Sequence, residues 1–325
     1  MTIRKRSTRI TKNPVRRHSI RGLKVIKFHN LVFSWFQKNG RNLPWRKTTD
    51  PYAIALSEIM LQQTQVDRVI PKWHAFLGAF PTWSALASAR TSDVLRMWKG
   101  LGYNRRAVML HRLAKAVVAS GEAQGERGEL PNDIAAMKKL PGIGEYTANA
   151  IAAFAFRNVE AAPVDTNIVR ILKRVFPRQT KDRQSIERLA YSIRPEDVWT
   201  WNHALMDIGA LECTARGHVS GLCVLGELHG DVEKRMRNRS RLKNTLLENR
   251  RGSHAPHKRF EDTDRYYRGR IVDLLREGAM TMKGMRTNVL FSRIDDERFA
   301  TLLQGVMNEG IVERYRNTVF LAGDK

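Results

Sequence analysis

The chain has 325 residues, enough to bury a full core and to divide into more than one domain. Its 57 Lys and Arg against 32 Asp and Glu give a formal net charge of +25, which points to a polyanionic partner bound through counterion release, with nucleic acid first among candidates. Two cysteines exclude a disulfide framework and no apolar run reaches membrane-spanning length, so a soluble protein of a reducing compartment, with no membrane partner, is expected.

In chain order, the first acidic residue is Asp50, while Arg4, Lys5, Arg6, Arg9, Lys12, Arg16 and Arg17 crowd the start. Residues 1–24 therefore read as a disordered basic arm, a composition that an organelle transit peptide shares. Phe28, Leu31, Val32, Trp35 and Phe36 recur at helical spacing and stop at Gly40. Helical patterns follow over 52–65, 68–79, 83–87, 92–98, 104–119, 132–138, 145–156, 166–175, 184–192 and 199–211, with a break around Pro163. The spacing predicts an all-α core over residues 25–230, arranged as two helical lobes. Residues 231–263, basic and without a sustained apolar period, read as a linker lying along DNA. From 264 the stripes Tyr267–Leu275 and Phe299–Met307 precede a hairpin around Arg316-Asn317. Residues 264–325 are thus expected to form a small α+β winged helix-like domain, which would contact DNA or another protein.

Three places in the core carry candidate chemistry. In Leu140-Pro141-Gly142-Ile143-Gly144-Glu145-Tyr146-Thr147, Gly142 and Gly144 permit positive φ, and the amides opening the next helix, Thr147 among them, suit a backbone phosphate. Glu58 shares a helix face with Ile54 and Leu61, where burial would keep its carboxyl protonated and make it a general acid; a solvated or ion-paired Glu is the ordinary alternative. Asp165 precedes an apolar-striped helix, as a second functional carboxylate or as a helix N-cap. The residues themselves lead to a helical DNA-binding protein with two candidate carboxylates.

Leu43-Pro44-Trp45-Arg46, the run Ser57-Glu58-Ile59-Met60-Leu61-Gln62-Gln63-Thr64-Gln65, Gly100-Leu101-Gly102-Tyr103, the Leu140–Thr147 turn and Val164-Asp165-Thr166-Asn167 together resemble the adenine DNA glycosylases of the helix-hairpin-helix superfamily, over about residues 28–230. The resemblance implies that the enzyme flips a mispaired base out of double-stranded DNA and hydrolyses its N-glycosidic bond during base excision repair. Glu58 would protonate adenine at N7, and Asp165 would stay ionised to stabilise the oxocarbenium-like sugar. Tyr146 stands where related endonuclease III enzymes carry a Schiff-base lysine, so the enzyme would be monofunctional. The resemblance also implies that Tyr146 and Asn167 border the sugar, that Arg46 lies near the flipped base, that Gln63 and Tyr103 wedge into the vacated helix, and that the enzyme acts as a monomer.

The sequence departs from that family in two ways. The usual Cys-x6-Cys-x2-Cys-x5-Cys pattern for a four-iron cluster here reads Cys213, Ser220, Cys223 and His229, so the expectation is no cofactor and no metal. Zinc at Cys213 and Cys223 with His218 or His229 has the donors but matches no common zinc-knuckle spacing. The C-terminal region, in turn, is too short and differently patterned for a Nudix-like domain that reads 8-oxoguanine. Two alternatives stay open: a thymine or uracil mismatch glycosylase on the same scaffold, and a non-catalytic DNA-binding regulator using the winged helix.

Overall fold

The computed structural model describes residues 20–123, 128–215, 223–229 and 259–325; the expected basic arm up to residue 19 and most of the expected linker, 230–258, lie outside the described residues. The described helices are α1 (Ile20–Asn39), α2 (Pro51–Leu61), α3 (Val66–Ala79), α4 (Trp83–Ser88), α5 (Thr91–Met97), α6 (Arg105–Glu122), α7 (Ile134–Met137), α8 (Glu145–Phe154), α9 (Thr166–Val175), α10 (Arg183–Ile193), α11 (Val198–Leu211), α12 (Asp264–Glu277), α13 (Met282–Arg286) and α14 (Asp296–Asn308). Three short strands, β1 (Met280–Thr281), β2 (Val312–Tyr315) and β3 (Thr318–Leu321), complete the fold. Contacts divide the chain into two units, 1–40 with 164–196 and 200–237, and 41–163 with 197–199 and 238–325.

In the first unit, Phe28, Val32 and Trp35 of α1 pack against Ile168, Leu172, Ile186 and Ile208. The Phe28 ring meets Phe176 and Trp201 edge-on at 5.5 and 5.1 Å. The chain thus returns to its own beginning to bury the stripe of α1, a long-range closure that local periodicity does not reveal. Helix α1 starts at Ile20, so the last residues assigned to the arm are helical. Lys24 explains this correction: its ammonium donates to Val175 O at 2.6 Å, at the carbonyl end of α9, and lies 5.4 Å from the Phe176 ring centroid.

The second unit is built around α2. Every residue from Tyr52 to Met60 is buried, so α2 is enclosed on all sides rather than presenting one apolar face. Helix α8, buried from Thr147 to Phe154, packs against it. Helix α2 stops at Leu61, short of the expected end at residue 65, and Gln63 adopts a left-handed φ of 56°. The stop is enforced by Arg106. Its Nη1 donates to Ile59 O, Met60 O and Gln62 O at 2.9, 2.9 and 2.5 Å, and its Nη2 to Leu101 O, Gly102 O and Thr64 Oγ1 at 2.9, 3.1 and 3.0 Å. One guanidinium thereby satisfies the last carbonyls of α2 and ties them to the Gly100–Tyr103 loop. Burial pulls the Arg106 guanidinium down to about 10, still charged at neutral pH.

The C-terminal module belongs to this second unit. Its sheet has the order β1-β3-β2, both pairs antiparallel, and the Phe291 ring meets Phe299 edge-on at 5.1 Å. Strand β1 and helix α13 escaped the sequence reading because two and five residues are too few to display a period. The module docks through Arg276, only 9% exposed, whose Nε donates to Leu95 O at 3.1 Å and whose Nη2 donates to Asn104 Oδ1 at 2.9 Å. Arg96 grips Asp324 with both terminal nitrogens, at 3.0 and 2.6 Å.

Lysine keeps the charge of Arg106 but not its fork. Unpaired buried carbonyls cost about 1–3 kcal/mol, and each kcal/mol moves unfolding by roughly 2–4 °C in a protein of this size. Calorimetry on Arg106→Lys should therefore show a melting temperature lower by about 5 °C. An unchanged value would contradict this account of the loop anchor.

Candidate active site

In the second unit, Glu58 lies in the last turn of α2, 6% exposed. Tyr146, in the first turn of α8, donates from its hydroxyl to Glu58 Oε2 at 2.8 Å. A carboxyl with so little access to water, bonded to a phenol, is placed to hold a proton and hand it on.

Helix α8 opens on Gly144 without a side-chain cap. Gly142 has φ +79°, which favours glycine, and a Cβ there would crowd Met109 Cβ at 3.1 Å. Gly144 corrects the expectation of a paired left-handed turn: its φ is −93° and ψ −179°, extended backbone open to any residue. Thr147 is 3% exposed, so its side chain lies in the core and only its backbone amide is left for the phosphate role. Arg46 ends a short 3-10 turn behind buried Trp45, its Nη1 bonded to Arg41 O at 2.8 Å. Gln63 is exposed and Tyr103 half-buried, both with positive φ, of 56° and 47°. Both non-glycine residues are held in this strained region on loops tied by one arginine.

In the first unit, Asp165 is both N-cap and candidate anion. Its Oδ1 accepts from Ile168 N at 2.7 Å and its Oδ2 from Asn167 Nδ2 at 2.8 Å. Burial pushes its carboxyl up from the usual range, while the Ile168 amide, Asn167 and Arg170 pull it back. Asn167 is held in turn by Arg170, whose Nη2 donates to Asn167 Oδ1 and to Gly209 O, each at 2.6 Å. A Cβ at Gly209 would fall 2.4 Å from Asn167 Cβ, so α11 passes the start of α9 only because residue 209 is glycine.

Three of these positions escaped the sequence reading. Arg170 lies one turn beyond Asn167 on the same face, a spacing that could have flagged it. Gly209 interrupts an apolar helix, a usual sign of close backbone approach. Arg106 stands in the first turn of a helix, where the dipole disfavours a cation; that mismatch was the available signal.

The segment after α11 brings Cys213, Cys223 and His229 together, their donor atoms within 4.8 Å of one another; His218 lies outside the described residues. The donors do not fit a four-iron cluster, which needs four thiolates where the chain has two. Cys213, moreover, is fully buried and its Sγ accepts from Arg174 Nη1 at 2.9 Å. The Cys213 thiol is pulled down by the Cys223 hydrogen bond, with His229 and Arg174 adding, and Cys223 is pushed up in return. Polar links fasten this segment: Glu212 accepts from Trp35 Nε1 and from Val224 N, the latter at 2.9 Å, and Arg170 donates to Cys213 O.

Comparison with known proteins agrees with this geometry. The model of the HhH-GPD superfamily base excision DNA repair proteins matches residues 56–195. The adenine DNA glycosylase of Mycolicibacterium smegmatis is 33% identical over 310 residues, covering 90% of this chain and 95% of that protein. That of Mycobacterium tuberculosis is 37% identical over 309 residues, covering 91% and 93%. Among solved structures, a thermostable thymine-DNA glycosylase aligns with a TM-score of 0.61 at 28% identity, over 66% of this chain and 100% of that one. With the buried carboxyl–phenol pair, the glycine turn and this extent of identity in hand, the chain belongs to the adenine DNA glycosylase family of HhH-GPD base excision repair proteins.

Proposed function

We infer that the protein is a monofunctional DNA glycosylase that removes adenine mispaired with guanine or 8-oxoguanine in double-stranded DNA, acting as a monomer wherever the genome lies: nucleoid, nucleus or mitochondrion. The observation that carries this reading is Glu58, buried on α2 and bonded to the Tyr146 hydroxyl at 2.8 Å. The Glu58 carboxyl delivers its proton to N7 of the everted adenine. The bond from C1′ to N9 then breaks with its electron pair leaving on the neutral base. Asp165 supplies the anion that favours the developing sugar cation, and Asn167 and Arg170 fix its orientation. Water adds at C1′ and gives up a proton that restores the Glu58 carboxyl, leaving free adenine and an abasic site. Tyr146 has no amine to form a Schiff base, which supports hydrolysis without a strand-cleaving lyase step. Gln63 and Tyr103 fill the gap left by the base, Arg46 borders the everted base, and the Gly142–Gly144 turn with the Thr147 amide takes a phosphate. No helix of the described residues is long and apolar enough to cross a membrane.

A thymine or uracil mismatch activity on this scaffold is disfavoured by the extent of identity to adenine enzymes, 33% and 37% over about nine-tenths of the chain, against 28% over 66% for the thymine enzyme. A non-catalytic regulator has no use for an acid buried to 6% exposure beside a phenol.

Duplexes carrying A opposite 8-oxoguanine, A opposite G, T opposite G and U opposite G, incubated with enzyme and then treated with alkali, should be cut only where adenine was mispaired. Glu58→Gln should slow that cut by about 10²–10⁴-fold while retaining mismatch binding. Cutting at T or U, or full activity in Glu58→Gln, would overturn the reading.

The same reading holds that no metal is resident at Cys213, Cys223 and His229, supported by the thiolate count and by the Arg174 contact to Cys213. Purified protein should lack the visible absorbance of a four-iron cluster and carry neither iron nor zinc in stoichiometric amount. Either metal at one site per chain would contradict it.

A further inference from the structure

Cys213 and Cys223 are the only cysteines in 325 residues, and the first unit brings them together. Their sulfurs and a ring nitrogen of His229 lie within 4.8 Å of one another, and both thiols are free. Cys213, just past the end of α11, is fully buried, whereas Cys223 is half-buried and keeps some access to solvent. Two thiols are too few for a four-iron cluster, which leaves the pair without an assigned role. A cysteine kept only for packing acts as a small apolar side chain and needs no cation beside it. Cys213 has one, since Arg174 Nη1 donates to its Sγ at 2.9 Å and Arg174 Nη2 donates to Thr214 O at 3.0 Å. Cys223 and His229 hydrogen-bond to the same sulfur. A guanidinium and two further partners around one sulfur favour its nucleophilic form.

The backbone on both sides of the pair is already tied. Glu212, the residue before Cys213, accepts from the amide of Val224, the residue after Cys223, at 2.9 Å. Cys213 N donates to Ile208 O at 2.7 Å, and Cys223 O accepts from Gly226 N at 2.8 Å. The two sulfurs can therefore close to the bonding distance of about 2 Å mainly by side-chain rotation, without rebuilding the chain around them.

We propose that Cys213 and Cys223 form a reversible modification site, which a small-molecule disulfide oxidises to a cross-link within the chain. The Cys223 sulfur attacks one sulfur of the reagent, RSSR, and expels RS⁻, leaving a mixed disulfide on Cys223. The Cys213 sulfur then attacks Cys223 Sγ and expels the second RS⁻. In each exchange one S–S bond forms as another breaks; overall, two electrons pass from the protein sulfurs to the reagent and the two thiol protons end on two molecules of RSH. Excess RSH runs both exchanges backwards. The order follows from burial, because the reagent reaches the half-buried sulfur and not the enclosed one. In a reducing compartment such a pair rests as thiols and closes only under oxidising conditions. Cys213 O also accepts from Arg170, so the cross-link is made at the residue that holds Arg170 beside Asn167. The assignment is independent of which base the enzyme excises.

The test uses the full chain as purified, equilibrated with mixtures of reduced and oxidised glutathione, then unfolded in guanidinium with N-ethylmaleimide and weighed intact. Wild-type protein should take up two maleimides at the reduced end of the series and none at the oxidised end, where its mass falls by two hydrogens, and excess reduced glutathione should restore both sites. Cys213→Ser should stop at the mixed disulfide and carry one glutathione on Cys223, whereas Cys223→Ser should acquire glutathione at least about tenfold more slowly. Peptide mapping of the oxidised wild type without reductant should recover Cys213 joined to Cys223, a result that does not depend on either variant folding. Two alkylatable thiols across the whole series, glutathione retained on the wild type in place of the cross-link, or a disulfide joining two chains would each overturn the proposal. So would faster capture of glutathione by Cys213 than by Cys223.

Discussion

Six hydrogen bonds from the guanidinium of Arg106 set the geometry on which the second unit's chemistry depends. A helix that ends inside a protein leaves carbonyls with no partner and a partial negative charge, and each must be answered. Arg106 answers two from α2, one from its cap Gln62 and two from the Gly100–Tyr103 loop at once through its two terminal nitrogens, a spread that a planar guanidinium allows. Because Glu58 sits in the turn being closed, the same contact that ends the helix fixes the candidate acid. Gln63 and Tyr103, just beyond on the two tied loops, are held in left-handed backbone that a free loop would relax.

The first unit solves a related problem differently. Asp165 is partly buried, which pushes its carboxyl up, and its position ahead of α9, where the Ile168 amide and the helix dipole favour negative charge, works against that push. Asn167 and Arg170 complete a chain of donors running back to Gly209 O and Cys213 O. The described residues following α11 are fastened into that network by Glu212, which accepts from Val224 N, and by Arg174, which donates to Cys213 Sγ and Thr214 O.

Much of the helical order was legible because amphipathic periods of 3.6 and their glycine stops are local properties. Helices α9 and α14 begin and end within a few residues of expectation for that reason. Helix α2 was legible in place but not in kind: its residues Tyr52 to Met60 are buried all round, and a helix enclosed on every side has no polar face to reveal its orientation. Glu58 and Asp165 were legible as candidates only through their neighbours in sequence. What holds each of them, Arg106 from α6 and Arg170 with Gly209 from α9 and α11, depends on contacts as far as 47 residues away, to which periodicity is blind. Gly144 shows the converse: a glycine whose freedom the fold does not use. The docking of the C-terminal module through Arg276 was invisible for the same reason, since 181 residues separate it from Leu95.

If Glu58 delivers its proton to N7 of adenine, as proposed, replacing that nitrogen removes the acceptor and tests the assignment most directly. A duplex with 7-deaza-2′-deoxyadenosine opposite 8-oxoguanine offers the same shape and the same Watson–Crick edge but nothing at position 7 to accept the proton. Single-turnover kinetics should show binding close to that of the adenine duplex and excision slowed by about 10³-fold or more. Excision of the deaza base at the rate of adenine would contradict the assignment of Glu58 as the acid.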